Sequence, residues 1–185
     1  MPFLEQVGYV MTALTLAAIF VTFVTPYWLV NEETDTRVDV HTGLLVICEK
    51  RSCHWIFEDR RVISVYPVWF KATQGLMLAA LALGILVLIV ATVSICCTCI
   101  NCTCCSCTCC SCNRPIYWLL VIAGLCIAVA LVVFGIKANQ EWKIDFQMDI
   151  SSSGRFGWSF WTAIGAAGGA LLTSVIYCCM DRKSS

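Results

Sequence analysis

Four long apolar stretches alternate with polar segments along this 185-residue chain. They cover residues 7–30, 74–95, 116–136 and 156–179, and none has a charged residue in its interior. Each approaches or exceeds the roughly 20 residues that a helix needs to cross the hydrocarbon core of a bilayer. The pattern therefore predicts a single membrane domain over residues 1–185, built as an all-α, left-handed bundle of four spans.

The polar segments between the spans predict a small β-sheet. The first loop, residues 31–73, and the second loop, residues 137–155, contain runs rich in β-branched residues. In the clearest run β-branched and charged positions alternate, which is typical of a strand with one buried face. The runs are 36–41, 44–47 and 61–66 in the first loop and 142–150 in the second. We expect both loops to contribute to one antiparallel sheet that stands on the membrane.

Composition and charge exclude several classes of function. With 59% hydrophobic and 13% charged residues, and a mean hydropathy of +0.82, the chain is too apolar for an ordinary soluble domain. Its formal net charge of zero gives no argument for nucleic acid as a partner. The absence of charge inside the spans argues against a transporter or pump.

The sequence contains no recognisable catalytic pattern. No Ser/His/Asp set, paired carboxylates or phosphate-binding loop is visible, so we expect no enzyme, no catalytic residue and no cofactor. His41 and His54 lack a second ligand at metal spacing, so we interpret them as exposed loop histidines and assign no metal site.

Twelve of the fifteen cysteines fall in two polar stretches, where they are arranged in contrasting ways. Cys48 and Cys53 form a lone pair in the first loop, which suits a disulfide in an oxidising compartment, although two free thiols are the alternative. Ten others crowd into 17 residues between the second and third spans. This run consists of Cys96, Cys97, Cys99, Cys102, Cys104, Cys105, Cys107, Cys109, Cys110 and Cys112.

The cysteine run allows three interpretations. Juxtamembrane cysteines are substrates for S-palmitoylation, which we favour because several acyl chains would hold the loop against the inner leaflet. A thiolate cluster with Zn or Cu(I) is the sharper alternative, because the cysteines are so closely spaced. Low-complexity drift without a defined role is the third. If the run is not acylated, Cys178 and Cys179 are the next candidates.

The cysteines also decide the predicted orientation. Four spans place both termini on one side, together with the cysteine-rich loop at residues 96–115, and both longer loops on the other. Nine Lys or Arg lie in the two longer loops, against three on the side of the termini, so the positive-inside rule favours the inverted arrangement. We nevertheless place the termini in the cytosol, because ten extracellular thiols would form scrambled disulfides. Glycosylation at Asn101, in an Asn-Cys-Thr sequon, would contradict this orientation.

A patch of small residues marks the last span. Gly and Ala fill residues 165–170, and Gly165 and Gly169 are four residues apart. Small residues at this spacing let helix backbones approach closely. We expect these glycines to pack within the four-helix bundle, with contact between copies of the chain as the alternative.

A short motif begins at the end of the first span and continues into the first loop; it consists of Trp28, Gly43, Leu44, Cys48 and Cys53. This motif resembles the signature of the claudin and peripheral myelin protein superfamily, which includes the epithelial membrane proteins and the stargazin-type channel subunits. Leu45 replaces the second Trp of that signature, and only four residues separate the cysteines. The fragments 156–160 and 175–177 are also similar to the last span of these proteins.

The resemblance implies a disulfide between Cys48 and Cys53 and a role without chemistry. It implies a protein of the plasma membrane that assembles at cell–cell junctions, with copies of itself or related four-span proteins in cis and trans. There it would contribute to a paracellular barrier or to adhesion. Seven acidic and six basic residues in the first loop indicate no clear ion preference. The alternative is an auxiliary subunit that modulates the trafficking or gating of an ion channel or receptor.

Overall fold

A computed structural model of the chain describes residues 2–33, 38–49, 52–57, 66–100, 113–142 and 155–184. Within these ranges four long helices form a bundle, and five short strands form a sheet at one end of it. The helices are α1 (Pro2–Val24), α2 (Val68–Ile100), α3 (Asn113–Trp142) and α4 (Trp158–Ser184). The strands are β1 (Leu29–Glu33), β2 (Val38–Thr42), β3 (Val46–Glu49), β4 (Ser52–Trp55) and β5 (Arg155–Phe156).

The four helices are arranged as a ring in which sequence neighbours are also spatial neighbours. α1 packs against α2 and α4, and α3 packs against the same two helices. All four are long and apolar enough to cross a membrane. The predicted architecture of four spans with a small antiparallel sheet is therefore confirmed. We call the end of the bundle that carries the sheet the sheet end, and the opposite end the far end.

Many of the buried side chains in the bundle are small, and many of the exposed ones are large and apolar. Nine alanines are buried, together with several threonines and serines, whereas Leu, Ile and Val side chains point outward on every helix. Lipid tails are as apolar as Leu, so the hydrophobic effect does not force these side chains inside, and close backbone approach holds the helices together instead. The buried alanines are Ala80, Ala91, Ala123, Ala130, Ala138, Ala163, Ala166, Ala167 and Ala170.

The sheet draws its strands from both loops, as expected. Its order is β4-β3-β2-β1-β5, and all neighbours are antiparallel. The strand from the second loop is β5, which pairs with the start of β1. The sequence predicts that strand at residues 142–150, but Trp142 ends α3, and residues 143–150 lie outside the described residues. Residues 61–65, where a further strand was expected, also lie outside them.

The helices differ from the predicted spans at their ends. α1 begins at Pro2 and ends at Val24, so the first span is shifted toward the N-terminus relative to the predicted 7–30. Pro26 has no N–H to continue the helical hydrogen bonds, and Leu29 and Val30 pair in the sheet instead. α2 begins at Val68, six residues before the predicted 74–95. α3 extends beyond 116–136 at both ends, and α4 begins two residues after the predicted start of 156–179, since Phe156 belongs to β5.

Candidate functional site

Trp28 is the centre of the junction between sheet and bundle. Its indole is fully buried, and its ring contacts Phe134 of α3 and Phe160 of α4 at centroid distances of 4.9 and 6.0 Å, both edge to face. Its Nε1–H donates a hydrogen bond of 2.6 Å to the carbonyl of Thr22. That carbonyl is one of the last four of α1, which have no partner inside the helix. Trp28 therefore satisfies the end of α1 while its ring fills the space between α3 and α4.

Gly43 and Leu44 connect the turn between β2 and β3 to two helices. A Cβ on Gly43 would lie 2.6 Å from both the Cα of Pro26 and the carbonyl oxygen of Thr25, so only glycine fits there. Leu44 is fully buried, and its carbonyl accepts a hydrogen bond from the side-chain amide of Gln74 in α2. The motif residues thus fasten the sheet to the end of α1 and to α2.

Gly157 makes the closest backbone approach in this junction, and sequence reasoning did not assign it a role. Its N–H donates to the carbonyl of Trp28 at 2.9 Å, and a Cβ on it would lie only 2.1 Å from the carbonyl oxygen of Tyr27. The N–H of Ser159 donates to that Tyr27 carbonyl, and its hydroxyl lies 2.7 Å from that of Thr25. No pattern in the sequence marks this glycine, which lies within the predicted last span at 156–179. We call Trp28, Gly43, Leu44 and Gly157 the junction residues.

The disulfide braces the hairpin at one edge of the sheet. Cys48 of β3 and Cys53 of β4 lie directly opposite each other, with their Cα atoms 4.1 Å apart, and they are bridged. The predicted disulfide is therefore confirmed. The cross-link joins adjacent positions of a hairpin, so it fixes the local pairing of β3 with β4 at the edge of the sheet farthest from β5.

Aromatic side chains continue from the junction to the start of α2. Tyr66 stacks on Phe70 at 4.7 Å, and Trp69 and Phe70 both contact Phe134. The indole N–H of Trp69 donates a 2.6 Å hydrogen bond to the carboxylate of Glu141 and so ties α2 to α3. Burial raises the pKa of the Tyr66 phenol above its usual value, so this group stays neutral at physiological pH.

The two histidines occupy different environments. His54 is exposed in β4, as expected. The prediction of an exposed His41 is wrong, because this residue is half-buried in β2 with its ring 4.8 Å from that of Tyr27. Its Nδ1 is buried and makes no hydrogen bond within the described part of the chain. The sequence places Tyr27 inside the first span, but in the structure Tyr27 lies after α1 and its ring covers His41.

Several unbridged cysteines lie at the far end of the bundle. Cys96 is exposed near the end of α2, and Cys178 and Cys179 lie near the end of α4, half-buried and exposed respectively. Cys97 and Cys99 also belong to the last turns of α2. The other seven cysteines of the run, and the sequon at Asn101, lie outside the described residues. They are Cys102, Cys104, Cys105, Cys107, Cys109, Cys110 and Cys112.

The two glycines of the small-residue patch differ in their surroundings. A Cβ on Gly169 would lie 3.0 Å from the hydroxyl of Thr15, so α4 approaches α1 closely at this point. Gly165 is exposed, and a Cβ on it would meet nothing within 4 Å. Gly169 therefore lies where α4 approaches α1, whereas Gly165 lies on an exposed part of α4.

The described residues do not bring together three or more His, Cys, Asp or Glu side chains that could hold a metal ion. The described residues instead form a disulfide-bonded sheet that is fastened to a bundle of four membrane-spanning helices. A family model described as the PMP-22/EMP/MP20/Claudin family matches residues 4–177, which is most of the chain. A search of curated proteins finds no match.

Proposed function

Because the chain belongs to the PMP-22/EMP/MP20/claudin family, we propose that it is a non-enzymatic protein of the plasma membrane that assembles at cell–cell contacts. There it contributes to a paracellular barrier or to adhesion. The observation that carries this proposal is the five-stranded sheet, which is braced by a disulfide and fastened to a four-helix stem by buried contacts. Such an arrangement presents a protein surface at a fixed orientation to the membrane.

Fixed orientation supports assembly for an entropic reason. A binding surface that is already ordered loses less conformational freedom on association, so more of its contact energy appears as affinity. The sheet is held at both ends: β1 and β5 meet the junction through Trp28 and Gly157, and the turn before β3 is held through Leu44 and Gln74. The partners that fit this proposal are further copies of the chain, or related four-span proteins, in cis and in trans.

We also propose that the sheet is extracellular and that both termini and the cysteine run are cytosolic. Cys96, Cys178 and Cys179 support this arrangement, because they cluster at the far end of the bundle, at the level where a cytosolic acyltransferase would find them. S-acylation of the run would hold the loop against the inner leaflet.

Hydroxylamine-sensitive labelling with a palmitate analogue should disappear when the ten cysteines are replaced by Ser. Persistent label would move acylation to Cys178 and Cys179, and glycosylation at Asn101 would overturn the orientation.

Cell mixing tests the proposed assembly. Cells that lack junctions and express the tagged chain are grown with cells that express no copy. We expect the protein to concentrate at contacts between two expressing cells and not at contacts between expressing and non-expressing cells, which serve as the internal control. Equal signal over the whole surface would contradict assembly across contacts. An increase in transepithelial resistance on expression in an epithelial layer would support the barrier role over adhesion alone.

One observation favours a second candidate function, that of an auxiliary subunit of an ion channel or receptor. An apolar groove of about 470 Å³ runs between α3 and α4, with Phe160 and Ala167 at its base and Trp161 and Ile164 on its rim. A groove of this kind fits a helix of another membrane protein. Purification of the tagged chain under mild detergent tests this role: recovery of a channel with the wild type, and its loss with Ala167→Trp, would support it. Uniform surface signal together with such recovery would replace the first proposal.

A further inference from the structure

Two large aromatic side chains are exposed at the base of the disulfide-braced hairpin. Trp55, the last residue of β4, and Phe57 are each 54% exposed, although the residue between them, Ile56, is 4% exposed and belongs to the buried core. Exposed apolar area of this kind is unfavourable in water, and contiguous patches of it mark surfaces that contact a partner or a membrane. The pair therefore needs a covering surface.

Backbone and side-chain contacts fix the height of this pair relative to the helices. The N–H of Ile56 donates a 2.9 Å hydrogen bond to the carbonyl of Leu45, and the carbonyl of the preceding Leu44 accepts one from Gln74. Gln74 is six residues into α2, which corresponds to about 9 Å along a helix that rises 1.5 Å per residue. The apolar span of α2 begins at Val68. The base of the hairpin thus lies beside the first two turns of a membrane-spanning helix.

The β3–β4 hairpin becomes more apolar from its turn toward its base, which is the part that lies beside α2. Near the turn, Glu49 pairs with Ser52, whereas at the base Val46 pairs with Trp55. Ser52 and Trp55 are three residues apart, which is about 10 Å along a strand. The hairpin is therefore polar where it is farthest from the bundle and apolar where it meets the level of the span, as expected for an element that crosses from water into the headgroup region.

We propose that Trp55 and Phe57 insert into the headgroup region of the adjacent leaflet and anchor the hairpin to the bilayer. Trp and other amphipathic aromatics are enriched at this depth. The patch is continuous in height with the lipid-facing surface of the helices, because Val68 at the start of α2 is 82% exposed and Trp158 at the start of α4 is also exposed. The lipid surface is therefore a second attachment of the sheet, besides the junction residues.

This inference requires only that the helices span a membrane, and it does not rest on the proposed role at cell contacts. Its consequence is that the tilt of the edge strand depends on the leaflet. A change in headgroup packing would move β4 while leaving β1 and β5 in place, since those strands are held by the backbone of Tyr27 and Trp28.

Photo-crosslinking tests the anchor directly. The full chain is prepared with p-benzoyl-phenylalanine in place of Trp55, of Phe57 or of Ser52, and each form is reconstituted into vesicles of radiolabelled phosphatidylcholine that hold several copies each. After irradiation we expect labelled lipid on the chain from positions 55 and 57, several-fold above the yield from position 52, which is the matched control on the same strand. An oxidised Cys48–Cys53 bond in each form confirms that the hairpin is folded.

Two outcomes would overturn the proposal. Lipid adducts at 55 and 57 no more frequent than at 52 would show that the base of the hairpin lies in water, and crosslinked dimers in their place would assign the patch to a second copy of the chain. Quenching of tryptophan fluorescence is a second measurement, and it does not require that a variant with the crosslinker folds. The fluorescence that is lost on Trp55→Phe should be quenched in vesicles of lipid brominated near the headgroup, and quenching only by aqueous acrylamide would equally reject the anchor.

Discussion

The two ends of the bundle are held together by different kinds of contact. At the sheet end, Trp28, Phe134 and Phe160 fill the space between helices with tilted and edge-to-face rings. At the far end, the ring of the buried Tyr177 lies over Gly8, where a Cβ would come within 3.3 Å of it. The same end holds a buried cluster that includes the aliphatic residues Val87, Ile116 and Leu120. The sheet end is therefore filled by aromatic rings, and the far end by aliphatic side chains with one close helix approach.

The difference follows from what each end must do. The far end joins only helices that lie in lipid, where van der Waals packing between the helices supplies much of the attraction. The sheet end must also hold a sheet whose other face meets water, so burial of large aromatic area is effective there. Changes at the sheet end should therefore cost more stability than changes at the far end, and they should release the sheet before they separate the helices.

The largest effect is expected for Trp28→Ala. Removing a fully buried indole leaves a cavity and an unpaired carbonyl at Thr22, and such truncations cost about 3–5 kcal/mol. Thermal unfolding in detergent, followed by size-exclusion chromatography, should show a strongly destabilised protein. Trp118→Ala is the control, because Trp118 is exposed near the start of α3 at the far end. Similar losses for both variants would contradict the distinction between the two ends.

Gly157→Ala is expected to be the next most damaging change. The added methyl would lie 2.1 Å from the backbone oxygen of Tyr27, so the β5–β1 contact must shift, at a cost of about 3 kcal/mol. Delivery of the protein to the cell surface is a convenient measure. Gly165→Ala is the matched control, since a Cβ there meets nothing and Ala favours a helix. Normal delivery of Gly157→Ala would show that the junction is more pliable than its contacts indicate.

Loss of the disulfide should have an intermediate effect confined to the hairpin. For so short a loop the chain-entropy estimate is about 2 kcal/mol, and it should be lost in Cys48→Ser with Cys53→Ser. Hydrogen exchange measured by mass spectrometry should show faster exchange over β3 and β4 and little change in the helices. Cys126→Ser, at an unbridged position in α3, is the control. Faster exchange throughout the bundle would mean that the sheet and helices unfold together.

The smallest effect is expected at the far end, for Tyr177→Phe. The change removes only the phenol hydroxyl and keeps the ring over Gly8, and even a complete hydrogen bond between membrane helices contributes about 0.6 kcal/mol on average. The unfolding midpoint in detergent should fall only slightly. A loss as large as that of Trp28→Ala would place the main stabilising contacts at the far end and reverse the comparison.

The sequence was sufficient for the features that lipid and covalent chemistry dictate. A helix that crosses a bilayer needs a long uncharged run, so the four helices could be predicted. The isolated cysteine pair and the motif around it indicated the disulfide between Cys48 and Cys53. The boundary of α1 could not be predicted, because Trp28–Val30 is as apolar as the helix before it. The apolar character of a run does not show whether its side chains contact lipid or are buried in a protein core beneath a sheet.

Face-dependent properties were also beyond the sequence. Four residues along a helix correspond to 400°, so Gly169 is rotated about 40° from Gly165, and this is enough to separate a packed position from an exposed one. His41 belongs with Arg37 and Asp39 to the polar positions that alternate with β-branched residues, which predicted a solvent face for it, but the ring of Tyr27 from another segment covers His41. Gly157 carries no pattern of its own, since its role exists only where the end of α1 meets the start of α4.

The route of the backbone through the junction determines how mechanical load would enter the membrane. β1 follows α1 and β5 precedes α4, and the two strands are hydrogen-bonded to each other where they reach the bundle. A pull on the sheet along the membrane normal is therefore divided at once between the first and the last helix, which pack side by side. Neither helix therefore bears the whole force alone, because β1 and β5 each transmit part of it.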